Sequence, residues 1–188
     1  MNFFCRAALL AIVMPVFISS AAQTLEIPDT VRVRILNASH PSMIKVRAEK
    51  GRIFLPDGPH QFDGECGLKR SGGTVALSIG GKISTADMVR IEAAALFIDV
   101  PEKPNRRYEG AIEISAADGE LCVVNETEFE RYVHGAAWSE AGELLRKDPS
   151  AAAGWDRELL AAMEICIRSY LAAGGSRHRG TGYSFCDL

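Results

Sequence analysis

The sequence predicts an α+β domain in which a β-rich first half is followed by two helices that carry the candidate site. Three observations support this prediction. Apolar and polar residues alternate with a period of two in several segments before residue 125. After that point apolar residues recur at helical spacing, and clusters of Gly, Pro and Asp separate the segments. Strands followed by helices in this order are typical of α+β domains.

The composition narrows the class of protein. Of the 188 residues, 47% are hydrophobic and 24% are charged, which are ordinary values for a globular protein. These values exclude a disordered chain, a collagen-like fibre and a protein with many membrane spans. The formal net charge of −3 lacks the basic excess typical of nucleic-acid-binding domains, so we predict no nucleic-acid partner.

The N-terminus has the pattern of a signal peptide. Arg6 is its only charged residue, an apolar stretch occupies residues 7–18, and small residues precede a cleavage site after Ala22. The stretch is shorter than the ~20 residues that span a bilayer, so we predict export to the periplasm or another extracytoplasmic space and no stable membrane span after cleavage. An uncleaved membrane anchor is the alternative. The predicted boundaries are 1–22 for the signal peptide, 23–29 for a linker and 30–188 for the domain.

The strands follow from alternation and from turn residues. Val31–Ile35 alternates cleanly, as a half-buried strand does. The segments before and after Ala117-Asp118-Gly119 form a predicted hairpin, since Asp-Gly is a common hairpin turn. A turn is predicted at Pro56–Pro59 and a loop over Pro101–Arg107. The further predicted strands are Met43–Ala48, Arg52–Leu55, Thr74–Ile79, Val89–Ala93, Leu96–Val100, Tyr108–Ile114 and Leu121–Val124.

Two helices are predicted after these strands. Asn125 is a favourable N-cap for a helix over residues 126–137. After an irregular segment with a break at Asp148-Pro149, Asp156 caps a second helix that reaches Ala173. The first helix is expected to bury Phe129, Val133 and Ala136, and the second to carry an apolar stripe of Leu159, Met163, Cys166, Ile167 and Tyr170.

Four cysteines remain after signal cleavage: Cys66, Cys122, Cys166 and Cys186. An exported protein with an even number of cysteines is a candidate for disulfides, and the sequence does not choose among the three pairings. The alternative is that Cys122 and Cys166 are buried, reduced core residues. Because neither a C-x-x-C nor an H-x-x-x-H spacing occurs, we predict no zinc site.

Two residues are candidates for chemistry. Glu140 follows the first predicted helix and lies near Trp138, whose apolar ring would raise the pKa of the carboxyl, as a general acid requires. The structural alternative is an exposed Glu in a turn. Arg168 lies four residues after Glu164, so a surface ion pair is its default role. No spacing indicates a catalytic triad or a phosphate-binding loop, and no cofactor is predicted.

The second half of the chain also carries a series of short motifs in a recognisable order. This order resembles the SpoIID family, the stage II sporulation protein D and LytB amidase-enhancer group, over about residues 105–188. The family pattern reads Y-x-G-x-I-E, L-x-V-V-N-E-x-x-x-E-x-Y-L-x-G-V-V-x-S-E-M, A-A-R-T-Y-A and G-Y-D-x-C-D. The matching segments are Tyr108–Ile114, Gly119–Glu126, Glu130–Gly135, Ser139-Glu140, Ile167–Ala172 and Gly182–Asp187. Relative to that pattern, the C-terminal part of the family domain is missing.

The resemblance implies a lytic transglycosylase that cleaves MurNAc–GlcNAc bonds of peptidoglycan. Glu140 would protonate the leaving glycosidic oxygen and then accept the proton of the MurNAc C6 hydroxyl, closing a 1,6-anhydro ring. Arg168 would bind substrate or orient Glu140. The implied partners are peptidoglycan glycan strands and a cell-wall amidase, and no cofactor or metal is required. The alternative is a non-catalytic peptidoglycan-binding module or amidase enhancer.

Overall fold

The structure, a computed structural model, describes residues 27–147, 152–174, 178 and 180–186. The predicted signal peptide, the first part of the predicted linker and the predicted Asp148-Pro149 break lie outside these described residues. Within them, no helix combines the length and apolarity that crossing a membrane requires. The elements are β1 (Thr30–Ile35), β2 (Met43–Leu55), β3 (Gly58–Ser71), β4 (Thr74–Ile79), β5 (Lys82–Ala86), β6 (Met88–Asp99), β7 (Arg106–Ala117), β8 (Glu120–Glu128), α1 (Phe129–Lys147), α2 (Ala152–Gly174) and β9 (Phe185–Cys186).

The described part of the chain is mainly β-sheet with two helices near its C-terminal end, which confirms the α+β class. Its nine strands form one sheet in the order β5-β4-β3-β2-β6-β7-β8-β1-β9. Neighbouring strands are antiparallel except β1 and β9, which run parallel. Because β4 also contacts β6 and β7, the sheet curls, and its inner face packs against itself.

The alternation of residues along the strands explains which face is buried. In β1, Val31, Val33 and Ile35 are buried on the inner face, whereas Arg32 and Arg34 point to the outer face. Each fully buried Val, Leu or Ile contributes roughly 1.5–3 kcal/mol through removal from water. The largest completely buried side chains come from six strands: Ile44, Ile53, Leu68, Leu77, Ile91, Leu96, Ile98, Ile112, Ile114 and Leu121.

Several strand predictions are confirmed, and others are wrong. The strands at Val31–Ile35 and Thr74–Ile79 and the β7–β8 hairpin are present. The predicted strand break at Lys50-Gly51 is instead a bulge within β2, and the predicted break between Ala93 and Leu96 is a bulge within β6. Both strands continue because their neighbours pair with them on each side of the bulge. β3 and β5 were not predicted, since β3 has many polar residues and glycines and β5 buries only Ala86.

The prediction that Asn125 caps the first helix is wrong. β1 pairs with β8 as far as the Thr30–Glu128 pair, so the chain stays extended through Asn125 and α1 begins at Phe129. The Phe129 backbone NH donates to the Asp29 carbonyl at 2.9 Å, which satisfies one free donor of the first turn. α1 buries Phe129 and Val133 as predicted. Ala137 and Ala141 are also buried, whereas Ala136 is only half-buried.

The second helix begins earlier than predicted, because α2 starts at Ala152 and Asp156 lies within it rather than at its cap. α1 and α2 pack against each other, and few contacts join this pair to the sheet. Leu159, Met163 and Ile167 of the predicted stripe are half-buried, whereas Cys166 and Tyr170 are exposed. Only a narrow face of α2 is therefore covered within the described structure.

Candidate functional site

Glu140 lies within α1 and not in the turn that the sequence predicts after a shorter helix. Its side chain is exposed, and Trp138 is 58% exposed. Because α1 continues to Lys147, side chains two residues apart point to different sides of the helix. Within the described residues, Trp138 therefore does not cover the Glu140 carboxylate.

Arg168 reaches across from α2 to the start of α1. Its Nε donates to the two carboxylate oxygens of Glu130 at 3.1 and 3.0 Å, and its Nη2 donates to Glu130 at 2.6 Å. The same Nη2 donates to Glu164 at 3.2 Å, which confirms the predicted ion pair within α2. The hydrogen bonds from Arg168 hold the pKa of the Glu130 carboxyl below its usual value.

The register of the two helices separates Glu140 from Arg168. His134 Nδ1 lies 2.9 Å from Glu164 Oε1, so α1 and α2 run antiparallel, with the Arg168–Glu130 pair one turn away. Glu140 is ten residues beyond Glu130, which is about 15 Å along the helix axis. The structure does not bring the two predicted catalytic residues together, and their catalytic roles stay predictions.

The four described cysteines are unpaired. Cys66 is buried, and this burial raises the pKa of its thiol to about 12. Cys122 is half-buried and Cys166 is exposed, so the interpretation of both as buried core residues is wrong for Cys166. Cys186 Sγ lies 3.5 Å from His178 Nε2. Within the described residues, no three His, Cys, Asp or Glu side chains come together as a set that could hold a metal ion.

A charged ladder crosses the outer face of the sheet; it consists of Arg52, Glu92, Arg90, Glu113, Glu126 and Arg32. At its centre Arg90 donates to Glu113 at 2.6 Å, to Glu126 at 3.0 Å and to Glu92 at 3.0 Å. Arg32 donates to Glu126 at 2.7 Å and to Glu113 at 2.5 Å. Hydrogen bonds from Arg32 to Glu113 and from Arg90 to Glu126 hold the pKa of each carboxyl below its usual value.

Two motif residues next to this ladder have structural roles. Gly110 of β7 has φ +90°, and a Cβ at this position would lie 2.2 Å from the Glu126 carbonyl oxygen of β8. The side-chain amide of Asn125 is buried and donates at 3.0 Å to the carbonyls of Glu109 and Ala111, which flank Gly110. The motif glycine therefore allows β7 and β8 to approach closely, and the motif asparagine pairs the two carbonyls beside it.

A groove of about 510 Å³ lies beside the ladder, within the size range of small-ligand sites. Irregular backbone on adjacent strands forms its floor: the β2 bulge, where Lys50 has φ +52°, the β6 bulge at residues 93–96, and Gly110 of β7. The lining residues are Thr30, Lys50, Arg52, Arg90, Glu92, Ala93, Ala94, Gly110, Ala111, Glu126, Thr127 and Glu128. A smaller groove of about 230 Å³ adjoins it near Arg131, and neither groove is lined by Glu140 or Arg168.

No family model, curated protein or solved structure matches the chain. The resemblance to the SpoIID family therefore stays a prediction from the order of the motifs.

Sequence reasoning missed the groove, because no single segment contains it. Its cations come from β2 and β6, its small residues from β6 and β7, and Glu128 from the end of β8. The available signal was indirect. Lys50-Gly51 and residues 93–95 interrupt the period-two alternation at positions that the β2–β6 register places beside each other. Paired interruptions of this kind are typical of bulges that reshape a sheet.

Proposed function

We propose that this protein is exported and acts at the bacterial cell wall as a peptidoglycan-binding module of SpoIID type. The choice of peptidoglycan is supported by the signal-peptide pattern and by the order of the family motifs. The choice of binding over bond cleavage depends on one observation, the separation of Glu140 from Arg168. A cell-wall amidase is the partner that this function would bring to its substrate.

The chemistry of a lytic transglycosylase explains why this separation matters. A single carboxyl group must first donate its proton to the glycosidic oxygen and then accept one from the C6 hydroxyl. Such a group needs an environment that keeps it protonated near neutral pH, usually an apolar cleft. Glu140 is exposed on α1, and the guanidinium of Arg168 is bound by Glu130 and Glu164. The described arrangement provides neither the cleft nor the supporting cation.

Co-sedimentation with purified sacculi, combined with mass spectrometry of the released sugars, tests the proposal. We expect the mature protein to sediment with sacculi and to release no anhydro-muropeptides. Glu140→Gln and the control Glu158→Gln, which removes an exposed carboxylate from α2, should both bind like the unaltered protein. Failure to sediment overturns the proposal. Release of anhydro-muropeptides that Glu140→Gln abolishes also overturns it and establishes the transglycosylase.

A second arm tests the amidase partner. A cell-wall amidase acting on the same sacculi should release peptides faster when the protein is present. If the rate is the same with and without the protein, the amidase-enhancer part of the proposal is overturned while wall binding is unaffected.

A further inference from the structure

The groove on the outer face contains cations that the sheet itself does not fully use. Arg52 is 58% exposed and donates to Glu92 at 2.9 Å through Nη2, and its guanidinium carbon lies 5.6 Å from the centre of the Phe54 ring. Lys50 is exposed and forms no ion pair within the described residues. At the other side of the groove Glu128 is 70% exposed, with Arg131 Nε at 3.4 Å. The exposed charges at the two sides of the groove are therefore positive on β2 and negative at the end of β8, and the lining charges of Arg90, Glu92 and Glu126 pair with one another between them.

The backbone conformation at Lys50 determines where its side chain lies. Its φ of +52° is a conformation that is unfavourable for a residue with a Cβ and that glycine adopts freely. A lysine in this position is unfavourable for folding. Bulges often redirect a side chain toward a binding site, and strained residues cluster at such sites. The β2 bulge brings the Lys50 side chain to the lining of the groove.

The floor of the groove favours a ligand with an extended backbone. Ala93, Ala94, Gly110 and Ala111 line it, and their small side chains leave room for close approach. From β2 to β8 the groove crosses three strand spacings, or about 14 Å. An extended peptide of four residues has about this length at ~3.4 Å per residue.

We propose that this groove binds a short peptide whose carboxylate contacts Lys50 and Arg52 and whose ammonium group contacts Glu128. Resting on the proposed function, this inference identifies the ligand as the peptide stem of peptidoglycan, which carries free carboxylates and, through its diamino acid, an ammonium group. Guanidinium and ammonium donors form charge-assisted hydrogen bonds with carboxylates. The binding is therefore expected to weaken as the salt concentration rises.

Isothermal titration with the purified stem tetrapeptide tests the inference directly. We expect Lys50→Gln combined with Arg52→Gln to weaken binding at least tenfold. The matched control is Lys69→Gln combined with Lys82→Gln, which removes the same charge from exposed positions outside the groove and should leave affinity unchanged. Equal affinity of the two double variants overturns the inference.

A second variant separates binding from stability. Lys50→Gly relieves the backbone strain, so it should unfold at a higher temperature than the unaltered protein and still bind the peptide more weakly. Unchanged affinity in this more stable variant would show that the Lys50 side chain does not contact the ligand, and the inference would fail.

The sacculus assay distinguishes this inference from the proposed function. If the unaltered protein and the Lys50/Arg52 double variant sediment equally well, the groove inference fails and the wall-binding proposal stands. If the unaltered protein binds the free tetrapeptide but not sacculi, the groove remains a peptide site and the wall-binding proposal fails. Binding to neither overturns both.

Discussion

Replacement of Gly110 by alanine tests the close approach of β7 and β8. Two separate effects act at this position. The residue has φ +90°, a conformation whose cost to a residue with a side chain is about 1–3 kcal/mol. The new Cβ would also lie 2.2 Å from the Glu126 carbonyl oxygen, which belongs to the backbone and is held in the sheet.

The second effect adds to the first because the clash cannot be relieved by rotating a side chain. Inserting the methyl group into this packed gap would push β8 away from β7 and strain their hydrogen bonds, at a further cost of about 1–3 kcal/mol. We therefore expect Gly110→Ala to lower the free energy of unfolding by about 2–6 kcal/mol. A domain of this size has a total stability of roughly 5–15 kcal/mol, so the loss would be a large share of it.

Gly64→Ala is the matched control. Gly64 lies in β3 with φ +95°, and a Cβ there would meet nothing within 4 Å, so this variant has the backbone cost without the clash. Urea unfolding followed by circular dichroism should place Gly110→Ala about 1–3 kcal/mol below Gly64→Ala. Thermal midpoints should differ by about 2–12 °C. Equal stability of the two variants would refute the argument that β8 approaches too closely for a side chain.

Three further predictions concern buried and charged groups. Asn125→Ala removes two hydrogen bonds and should lower the free energy of unfolding by about 1–3 kcal/mol in urea titrations; no loss would mean that water replaces the amide. A hydrogen bond from Arg32 lowers the pKa of the Glu113 carboxyl in the folded state, so this carboxyl binds a proton more readily when the protein is unfolded. The Arg32–Glu113 pair therefore stabilises the fold fully above the ordinary Glu pKa of 4.5. This stabilisation is lost as the pH falls through the lower pKa that Glu113 has in the folded state. Glu113→Gln should therefore make the free energy of unfolding depend less on pH in the acid range. An unchanged pH dependence would contradict this. Iodoacetamide should modify exposed Cys166 rapidly and Cys66 only after unfolding, because burial raises the pKa of the Cys66 thiol to about 12; mass spectrometry showing early Cys66 labelling would contradict this.

Alternation predicted the strands well wherever one face of the sheet is buried without interruption. Val31–Ile35 and Thr74–Ile79 are examples, since each segment has an apolar residue at every second position. The method failed at bulges, because an extra residue reverses the alternation while the strand continues. β2 and β6 were therefore each divided into two predicted strands. Their continuity depends on pairing with neighbouring strands, which local periodicity does not contain.

The start of the first helix was predicted wrongly for a related reason. Asn125 has a high preference for N-caps, and an acidic residue follows at a suitable distance. In the structure its amide instead donates to two carbonyls of β7, and β1 keeps the segment extended. The competing partners are distant in sequence, since β1 lies about ninety residues earlier along the chain. Tertiary pairing has overridden a local preference here.

Some of the motif residues have a structural role in the fold, and others do not. Gly110 permits close strand approach, Asn125 pairs two carbonyls, and Arg168 joins the helices, so each has a structural reason to occur. Their presence in the sequence therefore does not by itself require a catalytic role. Glu140 is different, because it is exposed and no described residue forms a hydrogen bond or ion pair with it. Its replacement by glutamine should not affect folding, so any function that this variant loses must have depended directly on the carboxylate.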